Sequence, residues 1–369
     1  RPALRTADPP HHAPTMSRGA VDLFQQLAQH DFGFFQKLDS VGAIMTREVT
    51  SLTLDHTFEE ASDVFRKGGF RHAPVEEDGD IIGVLSERDL LRHRPPLLGT
   101  AGEGDLDHRA LQTPVSKMLT RNPIFVCEDD GPAVALSKML ENDVECVLVH
   151  TAQHQFAGIL TSTDVLETVL LFHRVCGAPD LVRFRLVDLD MSSGMPLDMV
   201  FSRGARSVRD VMTKAPATVR EGDALSAAMD RMQADEARNL VVVNDSGRVV
   251  GLLEDRDVLR TLPLPVPLFS VRESPTRFHE RLFATEKGAA PTGSVGASMK
   301  KDPAHVRPDA LFTDAIRTMM ERDVSALPVL EDGALVGILS VTDVLRVVRV
   351  ALQIGSLLGG SDAATTKAA

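Results

Sequence analysis

Four aspartates carry the chemistry that this sequence offers. Asp89, Asp164, Asp257 and Asp343 close one recurring signature. It reads Gly83-Val-Leu-Ser86-Glu-Arg-Asp89, Gly158-Ile-Leu-Thr161-Ser-Thr-Asp164, Gly251-Leu-Leu-Glu254-Asp-Arg-Asp257 and Gly337-Ile-Leu-Ser340-Val-Thr-Asp343. The apolar run reads as a strand and the aspartate as the start of a helix. A carboxylate there is favoured by the helix dipole. Aimed into a cleft, it can accept hydrogen bonds from both hydroxyls of a ribose, each charge-assisted bond being worth roughly 1.5–3 kcal/mol. Ser86, Thr161 and Ser340 can bond sugar or phosphate, and the turn between strand and helix exposes amide donors to phosphate. A glycine inside a strand marks close approach of a backbone or ligand, read here as a bed for a purine. The competing reading is that each aspartate only caps its own helix, worth about 1 kcal/mol. The set recognises a ligand but supplies no nucleophile and no acid–base pair.

The elements that position these aspartates repeat four times, which is the strongest organisational signal in the chain. From Met45 to Asp89 is 44 residues, from Leu119 to Asp164 is 45, from Met212 to Asp257 is 45 and from Met299 to Asp343 is 44. Each repeat reads β-α-β-β-α. Thr57 with Glu60 predicts a capping box at the start of the first helix. Phe312, Ala315, Ile316 and Met319 follow the i, i+3, i+4, i+7 spacing of a buried helical face. Asp78-Gly79, Ser246-Gly247 and Asp332-Gly333 predict hairpin turns, whereas Gln153-His154-Gln155 lacks that signal. Repeats one and three end in Arg-Asp, repeats two and four in Thr-Asp, as duplication of a two-repeat unit would leave them.

The expected division follows. Residues 1–40 hold a Pro/His-rich disordered start and a lead-in helix around Val21 to Leu38. Residues 41–169 form a first pair (repeats 41–93 and 115–169, with a loop at 94–114). Residues 170–207 are an inter-module linker that begins as a continued helix. Residues 208–348 form a second pair (repeats 208–262 and 295–348, with a mobile segment at 263–294). Residues 349–369 are a tail, frayed from Gly359. The chain opens on Arg1, which is compatible with a tag, a fragment or a mis-called start, with Met16 a candidate beginning.

The Met-Thr openings (Met45-Thr46, Met212-Thr213), the stretch Gly69 to Val75 and the fourfold signature resemble the CBS domain family, whose modules come in pairs called Bateman modules. The resemblance covers four repeats and implies an α/β (α+β) fold in which paired repeats pack sheet to sheet around two clefts. It also implies adenosine-containing ligands such as AMP, ADP or ATP, none covalent, in clefts lined by Arg71, His72, Ser86, Arg88 and Asp89, by Thr161, Thr163 and Asp164, and by Ser340, Thr342 and Asp343. The layout is similar to the gamma subunit of AMP-activated kinase. One four-repeat disc per chain and a homodimer of smaller discs are both compatible with it.

The sites are uneven. The first is expected to be best, because Arg71, His72 and Arg88 can supply positive charge. The alternatives are a solvated arginine pair and a structural histidine. Glu145 and Cys146 stand where the first repeat has Arg71 and His72, which weakens phosphate binding there. Glu254, Arg256 and Asp257 make a doubtful site, since a carboxylate beside a phosphate repels it by ~2–3 kcal/mol at an effective dielectric of 20. Lys300 and Lys301 read as solvated charges. Asp31-Phe32-Gly33 stands without the other kinase motifs and is taken as coincidence.

Composition narrows the partners. Lys plus Arg is 40 against 52 Asp plus Glu, a net charge of −12, which disfavours nucleic acid and anionic membranes. Three cysteines without a CxxC pair predict small buried thiols in a reducing cytosol. No apolar run reaches ~18 residues and no signal peptide is read, so a cytoplasmic protein is expected. The twelve histidines show no metal-binding spacing. The leading expectation is a regulatory adenine-nucleotide sensor, not an enzyme, signalling to an unidentified protein partner. The alternative is an interaction scaffold whose clefts hold no ligand.

Overall fold

A computed structural model describes residues 39–95, 104–176, 207–261 and 291–365. The expected lead-in helix, most of the linker at 170–207 and most of the segment at 263–294 lie outside the described residues.

Repeat one runs β1 (Leu52–Thr53), α1 (Phe58–Gly68), β2 (His72–Glu77), β3 (Asp80–Ser86) and α2 (Glu87–His93). The capping box at Thr57 and Glu60 starts α1, with both reciprocal hydrogen bonds present. The β2–β3 turn places Asp78 at φ 53° and Gly79 at φ 90°, the doubly positive pair that a twisted hairpin needs. A helix α3 (Asp105–Leu111) interrupts the segment expected to be loop throughout. Its sequence carries no apolar stripe, so periodicity does not announce it.

Repeat two runs β4 (Thr120–Arg121), β5 (Phe125–Cys127), α4 (Pro132–Glu141), β6 (Cys146–His150), β7 (Phe156–Thr161) and α5 (Ser162–Cys176). Its hairpin turns through His154 at φ 61°. Repeat three opens on α6 (Val208–Val211) and continues with β8 (Thr213–Lys214), β9 (Thr218–Arg220), α7 (Leu225–Ala234), β10 (Asn239–Val243), β11 (Val249–Glu254) and α8 (Asp255–Leu259). Repeat four opens on α9 (Val295–Ser298), then β12 (Lys300–Lys301), α10 (Phe312–Arg322), β13 (Ala326–Glu331), β14 (Ala334–Ser340) and α11 (Val341–Thr365). The last helix runs on through Gly359, where a frayed tail is expected from sequence.

Each repeat gives its opening segment to its neighbour. Strand β4 of repeat two joins the sheet of repeat one, in the order β1-β2-β3-β4. Strands β8 and β12 are exchanged in the same way between repeats three and four. Thr46 bridges to Ile159 of repeat two. The openers also complete the neighbour's core: Val115 and Met118 pack with Leu52, Phe58 and Leu85, and Val41, Ile44 and Met45 with Val126 and Leu136. The signature glycines permit this approach. A Cβ on Gly83 would meet the carbonyl oxygen of Thr120 at 2.8 Å, and on Gly158 that of Thr46 at 2.3 Å. These glycines therefore lie against the partner's opener, which corrects their reading as a purine bed.

Within each pair the sheets face one another. Leu148 and Ile159 pack with Val49, Ile81 and Val84, and Val241 and Leu252 with Ala326 and Ile338. The two pairs then meet through helices. Repeat two packs on repeat four, where Leu136, Met139 and Val165 share one core with Phe312, Ile316 and Val348. Repeat one meets repeat three through α2 and α8, with Leu91 packed against the core of repeat three. The expected apolar face of α10 is the buried one, Phe312, Ala315, Ile316 and Met319 being at most 1% exposed.

If exchange of openers holds the pairs together, Gly158→Ala must force the Thr46 carbonyl away. It is expected to cost about 1–3 kcal/mol in a chemical melt, as overpacking does. Gly222→Ala, which meets nothing within 4 Å, is expected to change stability by no more than about 0.5 kcal/mol.

Candidate functional site

Each signature aspartate is the third residue of its helix, not the first. Its Oδ2 reaches back to the residue that caps the helix. Asp89 accepts from the Ser86 amide at 2.9 Å and the Ser86 hydroxyl at 2.5 Å. Asp164 does the same with Thr161 at 2.7 and 2.6 Å, and Asp343 with Ser340 at 2.9 and 2.6 Å. Asp257 accepts from the Glu254 amide at 3.0 Å. These are capping boxes, which satisfy amides that the helix leaves unpaired. The expected capping role is thus met through the reverse geometry: Ser86 and Glu254 are the N-caps and the aspartates brace them.

The second oxygen distinguishes the four sites. Oδ1 of Asp164 accepts from the Thr46 hydroxyl at 2.8 Å, and Oδ1 of Asp343 from that of Thr213 at 3.2 Å and also from Arg346 of its own helix at 3.2 Å. Both threonines come from the partner's opener, so these carboxylates face the groove between paired repeats. Oδ1 of Asp257 accepts from Arg260 at 2.9 Å, while Asp89 has Arg92 at 3.7 Å. Burial pushes Asp164 and Asp257 up from the ordinary carboxylate range. Thr163 is exposed and Thr342 half-buried.

Where the four repeats meet lies a cavity of about 20 Å³, lined by Arg71, His72, Ser86, Glu87, Arg88, Glu145, Arg256 and Ser325. That is room for about one water. Arg88 donates from Nε to Asp255 at 3.0 Å and from a terminal nitrogen to Glu145 at 2.9 Å. Arg238 pairs with the same Glu145 at 2.9 Å and with Asp143 at 2.7 Å. Arg71 pairs with Asp323, and Arg256 with Glu254, with Glu87 at 3.8 Å and with the Asp323 carbonyl at 3.0 Å. Lys300 reaches Glu254 at 3.1 Å. Lys301 is exposed as expected, but Lys300 is not a solvated charge.

Arg71 and Arg88, expected to offer positive charge to a phosphate, already have carboxylate partners here. Burial pushes His72 down to about 4, with Arg88 and Arg71 adding to the shift against an opposing Glu145, so His72 is neutral at pH 7. Burial opposes the charge of Arg88, yet Asp255 and Glu145 outweigh it and raise its pKa. Burial likewise opposes the charge of Glu145, but Arg88 and Arg238 hold it well below the usual range. Arg71 is lowered by burial and by Arg256. The cluster thus sets five cations (Arg71, Arg88, Arg238, Arg256, Lys300) against six carboxylates (Glu87, Asp143, Glu145, Glu254, Asp255, Asp323). Besides Glu87 and Asp143, sequence reading missed Arg238, Asp255 and Asp323. Arg238 had a signal, for it precedes its hairpin strand as Arg71 does; Asp255 and Asp323 become neighbours only when the pairs pack. Among the described residues no group of three His, Cys, Asp or Glu side chains is placed to hold a metal ion.

His72 carries a pH prediction. Its folded pKa lies below the unfolded value of about 6.5, so the folded state binds fewer protons. Its stabilising contribution is full above about pH 6.5 and is lost as pH falls towards 4, on the order of 3 kcal/mol. Denaturant melts of wild type and His72→Gln between pH 7 and 4.5 are expected to differ in slope, with the variant flatter.

Comparison with known proteins places this geometry. The family model described as "CBS domain" matches residues 41–95, 115–171, 208–264 and 293–350. Among curated relatives, the uncharacterized protein MJ1404 of Methanocaldococcus jannaschii is 24% identical over 84% of this chain, which spans 61% of that protein. The CBS domain-containing protein CBSCBSPB3 of Arabidopsis thaliana is 26% identical over 57% of this chain and 42% of its own length. The chain therefore spans less than two thirds of the length of either relative. Among solved structures, protein MJ1225 from Methanocaldococcus jannaschii superposes with a TM-score of 0.55 at 17% identity, covering 83% of this chain and 99% of that one. The structure of CBSX2 in complex with AMP covers 40% of this chain and 97% of its own, at 28% identity and a TM-score of 0.29. The family model accounts for more than half of the sequence, repeat by repeat, and the chain belongs to the CBS domain family.

Proposed function

We propose that this protein is a non-catalytic regulatory sensor of adenosine-containing ligands, with AMP, ADP and ATP the leading members, and that it signals to a protein partner. Family membership supports the ligand class. The observation that supports the reading is the cavity at the start of α2, where side chains of all four repeats converge and Arg71 and Arg88 lie beside Ser86, the cap that Asp89 braces. The ribose bonds Asp89, and the phosphate approaches Ser86, Arg71 and Arg88. Thr161 with Asp164, and Ser340 with Asp343, form the equivalent positions facing Thr46 and Thr213.

Binding acts by shifting how the repeats sit against each other, and only to the extent that the ligand prefers one arrangement. The phosphate must compete with carboxylates that already hold Arg88, so its arrival rearranges contacts that span repeat one, repeat two and repeat three. A scaffold without ligands is the second reading, favoured by that same pairing of Arg88.

Thermal shift with a panel of adenosine ligands separates the two. A bound ligand at about 100 times its dissociation constant adds about 2.7 kcal/mol, whereas a scaffold shows no shift with any member. By calorimetry, Asp89→Ala is expected to weaken the tightest binding event roughly ten- to a hundredfold, the worth of one charge-assisted bond. Asp257→Ala is expected to leave it unchanged; equal losses would reject the assignment of the first cleft.

A further inference from the structure

The third repeat breaks the signature, and the break has a partner in space. Where the other repeats carry Ser86, Thr161 and Ser340, this one carries Glu254. Those three hydroxyls turn inward to their own aspartates. The Glu254 carboxylate turns across the pair instead. Its Oε1 accepts from the Ser325 amide and the Ser325 hydroxyl, both at 3.1 Å. Its Oε2 accepts from Lys300 at 3.1 Å and from Arg256. The side chain is 1% exposed. Two cations, an amide and a hydroxyl converging on one buried anion form a donor set suited to a phosphate or carboxylate ligand. Arg256 comes from repeat three, Lys300 and Ser325 from repeat four, so both halves of the pair supply it.

We propose that this is an anion-binding site whose anion is built into the chain: Glu254 holds the place of a ligand's phosphate and closes the third cleft to phosphorylated ligands. Burial alone would raise the Glu254 pKa, but Arg256 and Lys300 bring it to about 2, so the internal anion stays charged at working pH. Asp257 lies behind it, held by the Glu254 amide and by Arg260. Serine at this position would restore the hydroxyl that the other three aspartates use, while leaving Arg256, Lys300 and Ser325 around an unfilled space. The consequence for ligand choice rests on the sensing function proposed above; the anion site does not.

The test uses inorganic phosphate and the full chain. Melts of wild type, Glu254→Ser and Glu254→Gln are compared in sodium phosphate and in sodium chloride of equal ionic strength. Phosphate is expected to raise the melting temperature of Glu254→Ser by at least about 2 °C, and that of the other two not at all, because their side chains still fill the space. Adding Lys300→Met to Glu254→Ser is expected to abolish the response. The proposal is overturned by no response in Glu254→Ser, by an equal response in all three proteins, or by a response that survives Lys300→Met. Should Glu254→Ser lack a cooperative melt in chloride, phosphate must restore one, and failure to do so counts against the proposal equally. No adenosine ligand enters the measurement, so its failure and that of the sensing function are told apart.

Discussion

No repeat in this chain is complete without its partner's opening segment. The Val41 amide donates to Asp130 at 2.7 Å, Val115 to His56 at 2.7 Å, Val208 to Ala310 at 2.9 Å and Val295 to Asp223 at 2.9 Å, the same exchange made four times. Each opener carries a valine into the neighbour's core and a short extended segment onto the neighbour's sheet. A single repeat would leave that sheet edge and that core face uncovered, so the pair is the smallest unit that satisfies both. The exchange also builds the groove. It is the opener that carries Thr46 to Asp164 and Thr213 to Asp343, so a site assigned to one repeat by its signature is made by two.

Each signature carboxylate has two oxygens, and the cap uses one of them. One braces the cap and is committed to the helix. In Asp164 and Asp343 the other accepts a threonine hydroxyl of the paired repeat, whereas in Asp257 and Asp89 it lies by an arginine of the same helix. A sugar hydroxyl is chemically similar to that threonine hydroxyl, so exchanging them conserves the bond type and changes only its owner. The cap and the binding role are therefore compatible, and the presence of the first says nothing against the second.

Much of this was legible because it is local. The repeats, the capping box at Thr57, the Asp78-Gly79 turn and the buried face from Phe312 to Met319 follow from spacings within a dozen residues. The exchange of openers was not legible, because nothing near Met45 says that its core lies in another repeat. The glycine signal was read correctly as close approach and wrongly as to what approaches. Nor could periodicity find α3, whose seven residues carry no stripe, or the continuation of α11 through Gly359-Gly360, a pair that reads as a stop. One regularity did carry long-range information. The Arg-Asp ending of repeats one and three marks the two helices, α2 and α8, that meet where the pairs join.

That meeting sets the cost of any anion entering the first cleft. Arg88 is shared between Glu145 of its own pair and Asp255 of the other, and Asp255 is 3% exposed. Breaking a buried pair by withdrawing one partner costs about 3–5 kcal/mol, since the other charge stays behind uncompensated. Asp255 keeps one bond, to the Arg256 amide at 2.7 Å, which lessens the loss without cancelling it. An anion that merely drew Arg88 away would therefore bind weakly. One that entered while Arg238 took over Glu145 would leave Arg88 to bridge the ligand and Asp255, keeping every buried charge paired. The geometry thus favours rearrangement over displacement, and Arg88 is one of the guanidinium groups, with Arg71 and Arg256, that couple the first cleft to the second pair.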